Sequence, residues 1–176
     1  MTTDFDFNSH IFTPSTYSKA PAAIPIETKI GLSVFEHGNY IFYPLPLDEE
    51  FIRREGWDMQ HCLAFCQTDY CNRMRDRKIE VYSMTDKTTN MPVVDIEVAL
   101  VASSYGGPVD SPTVTQIRGM RNQCPPKDDY IPSLMEFFNT YGRGWKLHGH
   151  GVKNFDYQMD GQLLVERWEE LKGFAQ

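Results

Sequence analysis

His61, Glu97, Gln116, Arg118, Gly119 and Asn122 are the residues whose types and spacing offer chemistry. A histidine near its ordinary pKa exchanges a proton at physiological pH, and a carboxylate beside it orients or activates it. His61 and Glu97 are therefore the candidate catalytic pair. Gln116 and Asn122 carry paired donors and acceptors suited to a base edge or an amide. Arg118 can hold a phosphate through two parallel hydrogen bonds, and it shares a strand face with Gln116 if one strand runs through both. The plainer alternative for Gln116-x-x-Gly119-x-x-Asn122 is a turn, with Gly119 for backbone freedom and Asn122 as a cap. For Glu97 it is a solvated strand face.

The thiols offer a second chemistry. Cys62, Cys66 and Cys71 cluster around His61, which invites a zinc site, but the spacing is not of the C-x2-C type. Cys62 as a nucleophile with His61 as base requires adjacent helical residues to meet, and these diverge around the helix axis. Met59, Cys62, Leu63, Cys66, Tyr70 and Met74 recur at steps of three and four, which predicts one helical face. On that helix Cys62 and Cys66 face the core and His61 points to the other side. His148-Gly149-His150 sits between glycines, as an exposed loop would, and no metal is assigned.

The elements that must position these residues follow from pattern. Residues 1–28, with Pro14, Pro21 and Pro25, predict an extended or partly disordered arm. Residues 29–176 form one domain. Ile30–Phe35 and Tyr40–Pro44 flank a Gly-Asn turn and predict a hairpin, with His37 a solvated turn residue. Asp48 caps a helix with Glu49 and Glu50 in its first turn and Gly56 as its stop. Ile79–Met84 and Val93–Leu100 read as antiparallel neighbours, and Thr113–Arg118 as a third strand. Helices are expected over about Tyr130–Asn139 and Gln162–Lys172. The fold class is α+β, a small antiparallel sheet of hairpin plus three strands packed with three to four helices.

Residues 48–141 resemble the PcfJ-like family of conjugative-plasmid and phage proteins. The resemblance rests on Glu55-Gly56, Met59-Gln60-His61-Cys62-Leu63, Ile96-Glu97-Val98 and Gln116-Ile117-Arg118-Gly119-Met120-Arg121-Asn122. Phe65 or Cys66 stands where the family usually has Tyr, and the first strand lacks a common Arg near Ser83 and Met84. The resemblance implies a site and a mobile-element setting rather than a reaction.

The net charge of −7 argues against sequence-blind binding to phosphate backbones. The N-terminal residues lack the basic and apolar regions of a signal peptide, and no apolar run reaches membrane-spanning length, so a bacterial cytoplasmic location without membrane partners is expected. Three functional readings remain. The first is a nucleotide or nucleic-acid-like ligand held by the His/Gln/Arg/Asn pocket, with possible catalysis at His61. The second is a non-enzymatic module that binds a host or element-encoded protein. The third is an acyltransferase-like enzyme using Gln116-x-x-Gly119 as a pyrophosphate loop. The cofactor is unknown.

Overall fold

Alternation along the chain builds the sheet. In Met91–Val101, Val94, Ile96 and Val98 fall on one face, with Asp95 and Glu97 on the other. The computed structural model describes residues 19–64, 66–101, 108–122, 128–148 and 156–158. Its strands are β1 (Phe35–His37), β2 (Tyr40–Pro44), β3 (Ile79–Asp86), β4 (Met91–Val101), β5 (Pro108–Gly119), β6 (Lys146–His148) and β7 (Asp156–Gln158). They form a seven-stranded sheet in chain order. Every neighbouring pair is antiparallel except β5 with β6. The helices are α1 (Ile26–Leu32), α2 (Glu49–Met59), α3 (Gln67–Arg75) and α4 (Ile131–Thr140). This is the α+β class that the pattern predicts. The hairpin and three strands make its antiparallel centre, and β6 and β7 extend it.

Both sheet faces are covered. On one, Leu134, Phe137 and Phe138 of α4 and Trp145 pack on Phe42, Tyr82, Ile96 and Val98. Phe137 stacks on Phe42 with ring centroids 4.4 Å apart. On the other, Phe51 and Ile52 of α2, with Leu63 and Cys71, pack on Ile41, Tyr43, Ile79 and Val81. A polar residue on either face of the central strands therefore meets protein rather than water.

Several local expectations change. Ile30–Leu32 belong to a helix rather than a strand: Pro25 has a φ of −59° and its carbonyl accepts the Thr28 and Lys29 N–H groups. Lys29 is buried and its Nζ donates to the Asn90 carbonyl at 2.9 Å, which fixes α1 against the β3–β4 turn. His37 is half-buried rather than solvated, with Nδ1 2.9 Å from Ser133 Oγ on α4. Asp48 caps α2 as expected, accepting from the N–H groups of Glu50 (2.9 Å) and Phe51 (3.0 Å). Gly56, however, lies inside α2. The expected continuous helix over Met59–Met74 is three elements: α2 ends at Met59, a 3-10 turn spans Cys62–Ala64 and α3 starts at Gln67. Residues 1–18, His150 and the helix expected over Gln162–Lys172 lie outside the described residues.

Candidate functional site

The break after Met59 creates the site. Gln60 takes the left-handed conformation (φ 55°, ψ 47°). Its N–H reaches the Trp57 carbonyl, and the N–H of His61 reaches the Gly56 carbonyl at 3.1 Å. These are the paired bonds of a Schellman cap, which reverses the chain and satisfies the last carbonyls of α2. A 3-10 turn, Cys62–Ala64, then folds back onto α2. It passes so close that a Cβ on Gly56 would lie 1.9 Å from the Ala64 backbone nitrogen and 2.4 Å from the Leu63 carbonyl carbon. Glycine at 56 is thus required by contact rather than by dihedral freedom.

This reversal turns His61 inward, where it is 5 % exposed, and leaves Cys66 exposed and Cys62 half-buried. The expected division, cysteines in the core and histidine outward, is reversed, because the helical stripe assumed a helix that the left-handed Gln60 interrupts. His61 does face the strand carrying Gln116. Its Nε2–H donates to Asp95 Oδ2 at 2.7 Å, and the Leu63 N–H lies 3.4 Å from its Nδ1. Those partners fix the tautomer: the proton sits on Nε2, and Nδ1, whose lone pair accepts the Leu63 N–H, carries none.

Sheet register places the remaining groups. Asp95 pairs with Arg118 and Glu97 with Gln116 across β4 and β5, so all four share one face. A bulge in β5 puts Thr115 opposite Glu97, and its hydroxyl donates to Glu97 Oε1 at 2.8 Å. Arg73 of α3 reaches Glu97 through both terminal nitrogens, each at 3.4 Å. His61, Cys62, Tyr70, Asp95, Glu97, Gln116 and Arg118 line one cleft of about 20 Å³. That is room for one water-sized group. The expected residues His61, Glu97, Gln116 and Arg118 are therefore brought together. Gly119 is buried at the end of β5, opposite Val94. Asn122 closes the 3-10 turn Met120–Asn122, and its side chain lies outside the described residues.

Two functional candidates were not expected. Asp95, rather than Glu97, is the carboxylate that contacts His61, and it is 6 % exposed. Glu55 lies behind it at 2 % exposure, on the buried face of α2 with Phe51, Ile52, Gly56 and Met59. One signal was legible: Glu55 stands within an apolar stripe at helical spacing, where an unpartnered carboxylate is costly. Asp95 gave none, since alternation alone assigns it to a solvated face.

Burial governs the protonation states. It pushes the Asp95 carboxyl up to about 7 and the Glu55 carboxyl well above the usual range, the latter reinforced by the neighbouring Asp95. It holds the His61 imidazole down to about 4, with the Arg118 guanidinium adding to the depression. The ring is therefore neutral at physiological pH. Burial also raises the Cys62 thiol, whose sulfur lies 4.0 Å from the Tyr70 hydroxyl, so it stays protonated and is a poor nucleophile.

The segments that carry His61 and Arg118 are also tied together outside the core. Arg121, also left-handed (φ 57°), donates from Nε to Gln60 Oε1 at 2.8 Å. Beyond Gly119 the chain makes a 3-10 turn, and α4 starts only at Ile131. Among the described residues no group of three or more His, Cys, Asp or Glu side chains is arranged to hold a metal ion. Nor is any described helix long and apolar enough to cross a membrane. Comparisons with family models, with curated proteins and with solved structures return no match to this chain.

Proposed function

We propose that the chain is a PcfJ-like protein of a mobile genetic element whose cleft receives the phosphate-bearing end of a nucleotide or nucleic-acid-like ligand, with His61 as the proton-accepting group. The observation that carries this reading is the alignment of Arg118 and Gln116 beside the buried His61–Asp95 pair, on one face of the sheet. Arg118 supplies charge and two parallel donors for a phosphoryl group. Gln116 supplies an amide for a neighbouring polar edge. His61 takes a proton at Nδ1 once ligand entry displaces the 3.4 Å contact from the Leu63 N–H, and Asp95 stabilises the imidazolium that forms through the Nε2–H bond. The cleft has room for one water-sized group, so at most a single ligand oxygen enters and the phosphoryl group itself lies at the mouth. Arg121, bound to Gln60 beside His61, adds a cation near the site within an acidic chain, whereas Arg73 is paired with Glu97.

The test is calorimetric titration of the full chain with nucleoside mono-, di- and triphosphates and with short single-stranded oligonucleotides. At least one class binds the wild type, with affinity that falls as salt rises. Arg118→Ala weakens it about 10- to 100-fold, the loss of a charge-assisted hydrogen bond. Gln116→Ala weakens it less. Wild-type protein that binds none of these ligands, or an Arg118→Ala variant with unchanged affinity, overturns the reading. A stoichiometric protein partner recovered in place of nucleotide would favour the binding-module alternative.

A further inference from the structure

Behind His61 lies an accounting problem in hydrogen bonds. Glu55 Oε1 and Asp95 Oδ1 are both buried with no hydrogen-bond partner among the described residues. Their other oxygens are engaged. Glu55 Oε2 accepts from the Tyr43 hydroxyl at 3.4 Å, and Asp95 Oδ2 accepts from His61 Nε2–H at 2.7 Å. The two carboxyl groups approach each other from α2 and β4, within hydrogen-bonding contact. Ionised carboxylates only accept hydrogen bonds, so two of them side by side would leave both oxygens unsatisfied and repel each other. One proton between them converts two orphan acceptors into a single O–H···O bond.

We propose that Glu55 and Asp95 hold one proton between Oε1 and Oδ1 at neutral pH, with Glu55 the neutral donor and Asp95 the carboxylate, so that Glu55 is the positioning residue of the His61–Asp95 pair. The charges facing the pair agree with this assignment. Lys29 of α1 is buried on the Glu55 side and interacts with both carboxyls. Arg54 and Asp58 of α2 neutralise each other in an ion pair of 2.7 Å. Tyr43 of β2 and Ser83 of β3 offer only hydroxyls to this side, and Arg118 of β5 faces His61. One buried ammonium and one buried carboxylate balance. A second ionised carboxylate would leave an uncompensated charge in the interior. His61 Nε2–H reaches Asp95 Oδ2 at 2.7 Å and stabilises its charged form, whereas Glu55 receives only the Tyr43 hydroxyl at 3.4 Å, which puts the proton on Glu55. Asp95 Oδ1 is then occupied by the Glu55 hydroxyl and Oδ2 by His61, so neither oxygen of Asp95 can rotate away from the imidazole.

The shared proton stands independently of the ligand. Only its use in ligand chemistry rests on the function proposed above. The test is difference infrared spectroscopy of the full chain at about pH 8.5, above the Asp95 titration, labelled with carbon-13 separately in glutamate and in aspartate side chains. The expected result is a protonated carboxyl band that shifts with the glutamate label and disappears in Glu55→Gln. A spectrum with no protonated carboxyl, or a band that follows the aspartate label, overturns the assignment. The positioning role is read from the nitrogen-15 resonances of the His61 ring. Glu55→Gln keeps an N–H donor toward Asp95 and retains the Nε2–H tautomer, whereas Glu55→Ala shifts the ring toward mixed tautomers. If Glu55→Ala does not fold, the Glu55→Gln spectrum decides alone: a ring that loses its tautomer despite the retained donor overturns the role. Failure of nucleotide binding in the wild type would leave these readouts untouched.

Discussion

Gly56→Ala is expected to destabilise the protein by about 3 kcal/mol or more and to dismantle the cleft. Helix propensity alone predicts the opposite sign, since alanine in a helix interior is favoured over glycine by about 1 kcal/mol. The contact geometry decides between them. The added Cβ would meet backbone atoms of Leu63 and Ala64, which no side-chain rotation can clear. Relief requires the 3-10 turn to move away from α2. That movement carries His61 out of reach of Asp95, because the turn begins one residue later. Urea unfolding gives the stability change, and a lowering of Tm by roughly 6–12 °C accompanies it for a domain of this size. A variant as stable as the wild type, or more stable, would show that the close approach is not a constraint.

His61→Ala has the second large effect, and its dependence on pH identifies the cause. Removing the imidazole leaves Asp95 Oδ2 buried without its donor, a loss of about 3 kcal/mol when the carboxylate is charged. Asp95 has a folded pKa raised to about 7, above its unfolded value. Its contribution to stability is therefore full at low pH and is lost as pH rises through about 7. His61 has a folded value depressed to about 4, so its contribution is present above its unfolded value and lost as pH falls through about 4. In the wild type these two slopes oppose each other. His61→Ala keeps only the Asp95 slope, so its stability falls steadily with rising pH. The gap from wild type then narrows toward about pH 4 and widens toward about pH 8. In an Asp95→Asn background, the same substitution costs less at high pH. Denaturant titrations of the three variants at several pH values check this. A gap independent of pH would assign the loss to packing alone.

Sequence pattern carried the sheet further than it carried the site. Alternation in Val93–Leu100 and the Gly-Asn turn at 38–39 are local signals, and with the run Ile79–Met84 they place β2 to β4 without knowledge of the rest of the chain, whereas the strand expected over Ile30–Phe35 meets β1 only at Phe35. The same alternation sent Asp95 and Glu97 to solvent, because it distinguishes two faces and says nothing of whether both are covered. With α2 and α3 over that face, the carboxylates became interior groups. The turn at Gln60 was invisible for a different reason. Left-handed caps announce themselves through glycine or asparagine, and a glutamine there has no such signature. Gly56 supplied a false one four residues earlier. The error at this cap put His61 on the wrong side and took Cys66, and in part Cys62, out of the core, although His61 shares its cleft with Gln116 and Arg118 of β5.

The bond between Gln60 and Arg121 has a mechanical consequence. Both residues sit in a backbone conformation that costs a non-glycine residue about 1 kcal/mol or more; one precedes His61 and the other follows Arg118 by three residues. Their side chains form a strut outside the packed interior that ties the end of α2 to the turn after β5. Loss of the strut is expected to change the spacing of these two segments, and with it the gauge of the opening, with little change in foldedness. Gln60→Ala is expected to keep the unfolding free energy within about 1 kcal/mol of wild type, the usual worth of one exposed hydrogen bond. Ligand preference in the same titration series would shift toward bulkier groups. An unaltered preference would place the gauge in the core instead.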